Sequence, residues 1–330
     1  MDEMNRTHTE GAGTMTEMAV ATMGSRGDLR VQAELTEELI ERFYRFIDVR
    51  PQTVQTYRRA LKPFFMYLGE RGITRPSRED VISYRNTIQG TLKASTVQSY
   101  MTSVRLFFRW LAQEGLYLNV ADHVESVKLS RDHRKDCFNE GQVREILQGV
   151  DRSTETGSRN YAILALMTTA GLRCIEITRA NVEDIRNTSK GPVLYIQGKG
   201  RDEKGEYVEI SEPVRKAIVA YLSTRGRLDG KAPLFSSASD RNNGSRLTTR
   251  TVSGLVKDHL RRSGYDSERL TAHSLRHTAA MTYLKNGEKI EQVQQMLRHS
   301  DIRTTMIYLN HLKREENTCV ATATRAIFGE

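Results

Sequence analysis

Residues 128–137 read KLSRDHRKDC, a highly charged run with no apolar periodicity. Such a segment cannot be folded into an apolar core, so the patterned sequence on either side must bury its own apolar faces. A chain of 330 residues has room for two domains, and 38% apolar residues supply the core material. The composition therefore excludes a broadly disordered chain.

Upstream of that divide, from about residue 31 to residue 127, the pattern is helical throughout. Leu35, Leu39, Ile40, Phe43, Phe46 and Ile47 fall on one face at helical spacing. A second helix follows Pro51, carries Val54, Tyr57, Leu61, Phe64, Phe65 and Leu68, and ends near Gly69. Pro63 inside it predicts a kink or a join, because proline cannot donate to the helix ladder. Ser77 with Asp80 reads as a capping box opening a third helix. Ser95 is expected to cap the fourth, whose stripe is Val97, Tyr100, Met101, Val104, Phe107, Phe108 and Leu111, with Gly115 as its stop. Four amphipathic helices of this length close a small bundle. Its exposed faces are expected to carry Arg58, Arg59, Lys62, Arg85, Lys93, Arg105 and Arg109, with Tyr57, Tyr84 and Tyr100 among them.

Downstream, Asn139 and Gln142 form another capping-box pair. YAILALMTTA, near residues 160–170, predicts a buried helix closed by Gly171. VLYIQ and YVEIS flank GKGRDEKGE and predict a β-hairpin with a glycine-rich turn. Helices are expected again near 212–226, 250–264, 274–286 and 289–298, with a polar loop over 231–250. Residues 1–30, rich in Gly, Thr, Ser and Met, read as a mobile tail in which Met15, Met18 and Met23 are alternative starts. The fold class expected is mainly α, a helical bundle followed by a mixed α+β domain with one small antiparallel sheet.

The formal net charge of +9 makes a polyanion a plausible partner. Basic residues on the bundle, Arg58, Arg59, Lys62, Lys93 and Arg105, together with Arg134 and Lys135 in the linker, are candidate phosphate contacts. Cys137, Cys174 and Cys319 are odd in number and widely spaced, which argues against a disulfide framework or a structural zinc site and for a reducing cytoplasm. No run reaches the ~20 apolar residues of a membrane span. The expectation is a cytoplasmic, nucleoid-associated protein with no membrane partner.

Six residues carry the chemistry: Arg173, Lys199, His273, Arg276, His299 and Tyr308. They supply five groups that can be cationic and one phenolic nucleophile. His273 and Arg276 are three apart at a helix start and face the same way. Arginine presents a planar fork matched to two phosphate oxygens. Histidine moves a proton near neutral pH. His277 is one turn from His273, but Ser274 follows the first histidine and no carboxylate lies nearby, so no metal ligand set is expected. Arg173 follows Gly171, and Glu176, three residues on, is placed to orient it. Lys199 lies between two glycines of the predicted hairpin turn, with Lys204 as its rival. A phenol of pKa ~10 needs a base or nearby cations before it attacks. No GxxxxGK[ST] loop is present, and no cofactor is expected.

The segments AGLR, GKG, HSLRH, LRHSD and TTMIYLNH resemble the signature segments of the tyrosine recombinases, of the phage-integrase and Xer type. The resemblance is strong over 139–311 and weaker over 31–127, which is similar to that family's SAM-like core-binding domain. It implies a two-domain organisation: tail 1–30, core-binding domain 31–127, basic linker 128–138, catalytic domain 139–311 and tail 312–330. That last tail is read either as an arm exchanged between protomers or as a helix on its own domain. The resemblance also implies roles. Arg173 and Arg276 clamp the scissile phosphate, and Tyr308 attacks it to give a 3′-phosphotyrosyl intermediate. Lys199 protonates the departing 5′-oxygen, His273 assists proton transfer at the nucleophile, and His299 hydrogen-bonds a phosphate oxygen. The sequence departs from the family pattern at Ala272 (often Pro), Cys174 (often Ser) and Arg298 (usually Gly).

The implied function is a site-specific recombinase acting on double-stranded DNA, for integration or excision of a mobile element or for resolution of DNA multimers. The implied assembly is a homo-tetramer on paired sites, with a related second recombinase or an accessory DNA-bending protein as open additions. A type IB topoisomerase shares the residue set, and a catalytically silent DNA-binding regulator is the alternative from another class. A nuclease has the least support, since no carboxylate cluster for two metals stands out.

Overall fold

The computed structural model describes residues 34–128, 136–198 and 200–329. Lys199, Arg134, Lys135 and the 1–30 tail lie outside the described residues. The chain divides into two compact units, one ending at Arg131 and the other beginning at Asp132.

In the first unit, four helices are described: α1 Glu37–Phe46, α2 Pro51–Glu70, α3 Arg78–Gln89 and α4 Ala94–Gln113. Ser77 and Asp80 make the reciprocal capping box that opens α3, a device that stabilises a helix by about 1 kcal/mol. Helix α2 runs through Pro63 without a join. The carbonyl that the proline leaves unbonded belongs to the exposed Arg59, where water can serve it. Ser95 is not the cap of α4: the helix starts at Ala94, and Lys93 stands at the cap position without a side-chain cap bond.

The core of this unit is aromatic. Phe43 packs edge-on to Phe107 with ring centroids 5.2 Å apart, and Phe64 sits edge-on to Tyr84 at 5.0 Å. Tyr84, expected on an exposed face, is therefore a core residue, 1% exposed. Val81, Tyr84 and Ile88 line one face at helical spacing, and that face turns inward.

The second unit contains α5 Glu140–Gln148, α6 Glu155–Thr169, α7 Cys174–Arg179, strands β1 Ile185–Thr188, β2 Gly191–Ile196 and β3 Glu206–Glu209, then α8 Glu212–Ser223, α9 Thr249–Arg262, α10 Ala272–Lys285, α11 Ile290–Leu297, α12 Ile302–Glu315 and α13 Cys319–Phe328. Helix α6 is buried on nearly all sides, as its continuous apolar run demands. The predicted hairpin is β2–β3, with Leu194 opposite Val208 and Tyr195 opposite Tyr207. A third strand, β1, joins it antiparallel on the other edge of β2 and was not anticipated.

The main core gathers Ile163, Leu166, Leu194, Tyr221, Phe235 and Leu275 with their neighbours. A smaller cluster of Ala280, Met281, Leu284, Val293, Leu297, Tyr308 and Leu312 joins α10, α11 and α12. Helix α13 has no buried residue, and Val320, Ile327 and Phe328 are each more than 70% exposed. Among the described residues no helix is long and apolar enough to cross a membrane.

Candidate active site

Helix α6 ends at Thr169, and the chain reverses at Gly171, whose φ of +59° favours glycine. A Cβ there would also stand 2.9 Å from Leu297 Cδ2, so the residue permits the end of α11 to approach. Two residues later Arg173 caps α7. Its backbone N–H donates to Glu176 Oε2 and its guanidinium Nη1 donates to Glu176 Oε1, both at 2.8 Å. One carboxylate thus fixes both ends of the arginine.

Arg276 lies on α10 and is only 3% exposed. Its two terminal nitrogens donate to the carbonyls of Gly171 and Leu297. The guanidinium therefore bridges the turn that carries Arg173 and the turn that carries His299. Burial, reinforced by Arg173 and Arg298, lowers its pKa to about 9, which still leaves it charged at neutral pH.

Arg298 closes α11 with φ +54°, in the left-handed region where side chains are disfavoured. Its side chain turns inward. Nη1 donates to Met296 O at 2.6 Å, and Nη2 donates to Glu176 Oε2 at 2.8 Å. Glu176 is fully buried. Burial alone would raise its pKa, but Arg298, the Arg173 backbone amide and the two other guanidiniums outweigh that and hold it below the ordinary carboxylate range.

His299 Nδ1 lies 2.9 Å from Thr305 Oγ1. Burial first, then Arg276, Arg173 and Arg298, push its pKa down to about 4. The ring is consequently neutral at physiological pH. Tyr308 on α12 is 7% exposed. Its ring stacks on His299 with centroids 6.3 Å apart and meets His277 edge-on at 4.8 Å. Burial raises the Tyr308 pKa, while Arg276 and Arg173 pull it partway back.

These side chains line one cleft of about 500 Å³, with Arg173, His273, Arg276, His277, Arg298, His299 and Tyr308 on its wall. Arg201 and Glu206, paired at 3.0 Å, complete the charged lining. The formal count is four arginines against Glu206 and the underlying Glu176, an excess of two positive charges. Fixed cations held partly out of water favour an anion, and most of all one that gains charge during reaction. The hydroxyls of Ser300 and Thr304 add neutral donors on the same wall.

Five of the six residues singled out from sequence meet here, and Lys199 lies outside the described residues. Its rival Lys204 is tied instead to the buried Asp184, 2.5 Å away. Two participants were missed. The spacing of His277 from His273 points only to metal ligation, which its neighbours disfavour, yet its ring is packed against Tyr308. Arg298 was noted as a departure from the family pattern, but its pairing with a carboxylate 122 positions away has no local signal in sequence.

The candidate phosphate contacts on the first unit differ among themselves. Arg58 makes a two-pronged bond to Glu41 and lies over the Tyr44 ring, 4.2 Å from its centroid. Arg105 donates to Val124 O at 2.9 Å and to Ser126 Oγ at 3.1 Å, which anchors the chain after α4. Arg59, Lys62 and Lys93 are exposed.

The sequence profile of the phage integrase family matches residues 137–315, and that of the phage integrase N-terminal SAM-like domain matches residues 40–115. The tyrosine recombinase XerC of Caldanaerobacter subterraneus subsp. tengcongensis is 34% identical over 194 residues, 58% of this chain and 51% of that protein. The tyrosine recombinase XerD of Oceanobacillus iheyensis is 27% identical over 290 residues, 84% of this chain and 95% of that protein. The chain spans about half the length of the first curated relatives it matches. Among solved structures, the XerH site-specific recombinase in its post-cleavage complex with palindromic difH substrate superposes with a TM-score of 0.67 at 19% identity, over 84% of this chain and 80% of that one. A lambda integrase dimer bound to a COC′ core site gives 0.68 at 17% identity, over 90% and 81%. At these identities the likeness shows the fold.

Proposed function

Since this chain belongs to the phage integrase family, we propose that it is a site-specific DNA recombinase, which cuts and rejoins duplex DNA through a covalent bond to Tyr308. The observation that carries the reading is the burial of the Tyr308 phenol in the same cleft as the guanidiniums of Arg173 and Arg276. Proteins whose fold it shares were solved bound to a palindromic difH substrate, to a COC′ core site and to DNA, which supports DNA as the substrate.

In this reading the Tyr308 oxygen attacks the scissile phosphorus and the bond from phosphorus to the 5′-oxygen breaks. Arg173 and Arg276 neutralise the charge that accumulates on the non-bridging oxygens, and each such donor contributes ~3–4 kcal/mol in comparable anion holes. His299, held neutral, donates one hydrogen bond to the same phosphate. The phenolic proton leaves to a cleft histidine, His273 by family resemblance, with His277 packed beside the phenol ring. The departing 5′-oxygen takes a proton from Lys199, a role assigned by resemblance alone. The phosphotyrosyl ester retains the energy of the broken bond, so the 5′-hydroxyl of a second duplex can displace the tyrosine without a nucleotide cofactor. Exchange between two duplexes breaks four strands, and one tyrosine holds each end, which supports a tetramer on two sites.

The test is to incubate the chain with genomic DNA, trap protein–DNA adducts with denaturant and sequence the attached ends. Attachment at one recurrent sequence is the expected result. Adducts scattered without a shared sequence, formed while a supercoiled plasmid is relaxed by monomer, would favour a topoisomerase instead.

A further inference from the structure

The turn Leu297–His299 is fastened to the turn Gly171–Arg173 by two side chains. One is Arg276, which spans the carbonyls of Gly171 and Leu297. The other fastening is the ion pair between Arg298 and Glu176, whose carboxylate also grips both the guanidinium and the backbone amide of Arg173. Arg298 is unusual on three counts. It adopts a left-handed backbone angle without being glycine. Its side chain is 5% exposed although charged. Its Nε is buried with no hydrogen-bond partner. Each of these features opposes the placement of an arginine here. The ion pair with Glu176 and the cap on Met296 O are what hold it.

We infer that Arg298 is a positioning residue: through the shared Glu176 carboxylate it sets the Arg173 guanidinium and the His299 ring against each other across the phosphate cleft. This rests on the recombinase reading of the same cleft. Without Arg298, Glu176 keeps Arg173 but loses its link to the His299 turn, and Arg276 alone then ties the two turns together, so the two phosphate-facing groups are less firmly set. Displacements of about 1 Å in such a constellation cost on the order of 100-fold in rate. The titratable and charged groups facing His299 are Arg276 from α10, Arg173 and Glu176 from the start of α7, Arg298 from its own turn, and Tyr308 from α12. Removing one cation from that set relaxes the depression of the His299 pKa.

The test uses the full chain and three variants. Arg298→Gly suits the backbone angle and is expected to fold, Arg298→Ala keeps the strain, and Arg298→Lys keeps a charge without the planar fork. His299 is titrated by ring-proton NMR without DNA, and tyrosine-linked DNA is measured in single turnover on trapped target sequence. In Arg298→Gly and Arg298→Ala the His299 midpoint should rise from its low value. Covalent attachment should slow by about 10-fold to 100-fold, a larger loss than that in DNA affinity. Arg298→Lys should keep the low midpoint and recover part of the rate. An Arg298→Gly chain with the wild-type midpoint and the wild-type cleavage rate overturns the inference. A wild-type chain that never links to DNA sinks the recombinase reading instead, and the titration still decides whether Arg298 sets the site.

Discussion

Arginine is used in opposite ways on the surface of the first unit and in the cleft of the second. On the first, Arg58 is partly exposed, paired with the equally exposed Glu41 and laid over Tyr44. Its charge is matched one to one and shared with water. In the second, Arg173 and Arg298 converge on the single buried carboxylate of Glu176, and Arg276 beside them is held by two carbonyls rather than by an acid. Charge there is unmatched and withheld from water. The first arrangement tolerates loss because the solvent replaces whatever is removed. The second cannot, because nothing inside the protein substitutes for a missing partner, and its surplus charge waits for an anion from outside.

That contrast can be broken most sharply at Arg276. Arg276→Ala should reduce covalent attachment to DNA by about 100-fold to 1,000-fold in single turnover, the usual cost of removing one donor from an anion hole. A loss of only a few-fold would place Arg276 in the structure rather than in the chemistry. Next comes Glu176→Gln, which leaves Arg173 and Arg298 without their common counter-charge. Denaturant unfolding should show the second unit destabilised by about 3 kcal/mol or more. Arg58→Ala should cost the first unit no more than about 1 kcal/mol, since solvent screens that pair.

Acid should separate the units as well. The native pKa of His299 lies near 4, below the ~6.5 of an unfolded histidine. Between those values the unfolded chain binds the extra proton, so His299 favours folding fully above about pH 6.5 and loses that contribution as pH falls toward 4. Glu176, with its native pKa also depressed, contributes above the unfolded glutamate value of ~4.3 and loses its contribution below it. The unfolding free energy of the second unit should therefore fall from pH 6.5 to pH 4, and His299→Gln should flatten that limb. An unchanged slope in the variant would show that the ring titrates normally. A similarly small effect belongs to Ser77→Ala, which removes one side of the α3 capping box. It should lower the stability of the first unit by about 1 kcal/mol and leave the second untouched.

What could be read in the sequence was what depends on near neighbours. The apolar stripe of α4, the capping boxes at Ser77 and Asn139, the reversal at Gly171 and the β2–β3 hairpin each involve residues within a few turns of one another. Strand β1, IRNT, escaped because four residues with one half-buried member have no alternation to detect. Tyr84 was set on the wrong face because tyrosine suits both surface and core, and only its partners Phe64 and Tyr67 decide. The site followed the same rule. The chain itself holds HSLRH and the motif around Tyr308, but the packing of α10 against α12 is what brings His277 to the phenol. The bond from Arg298 to Glu176 depends on folding alone.

The most direct measurement is mass spectrometry of the trapped adduct after nuclease and protease digestion. The account predicts a single nucleotide-bearing peptide with a 3′-linked phosphate on the Tyr308 oxygen, absent from Tyr308→Phe although that variant still binds the DNA. A phosphate found on any other residue, or an adduct that survives in Tyr308→Phe, contradicts it.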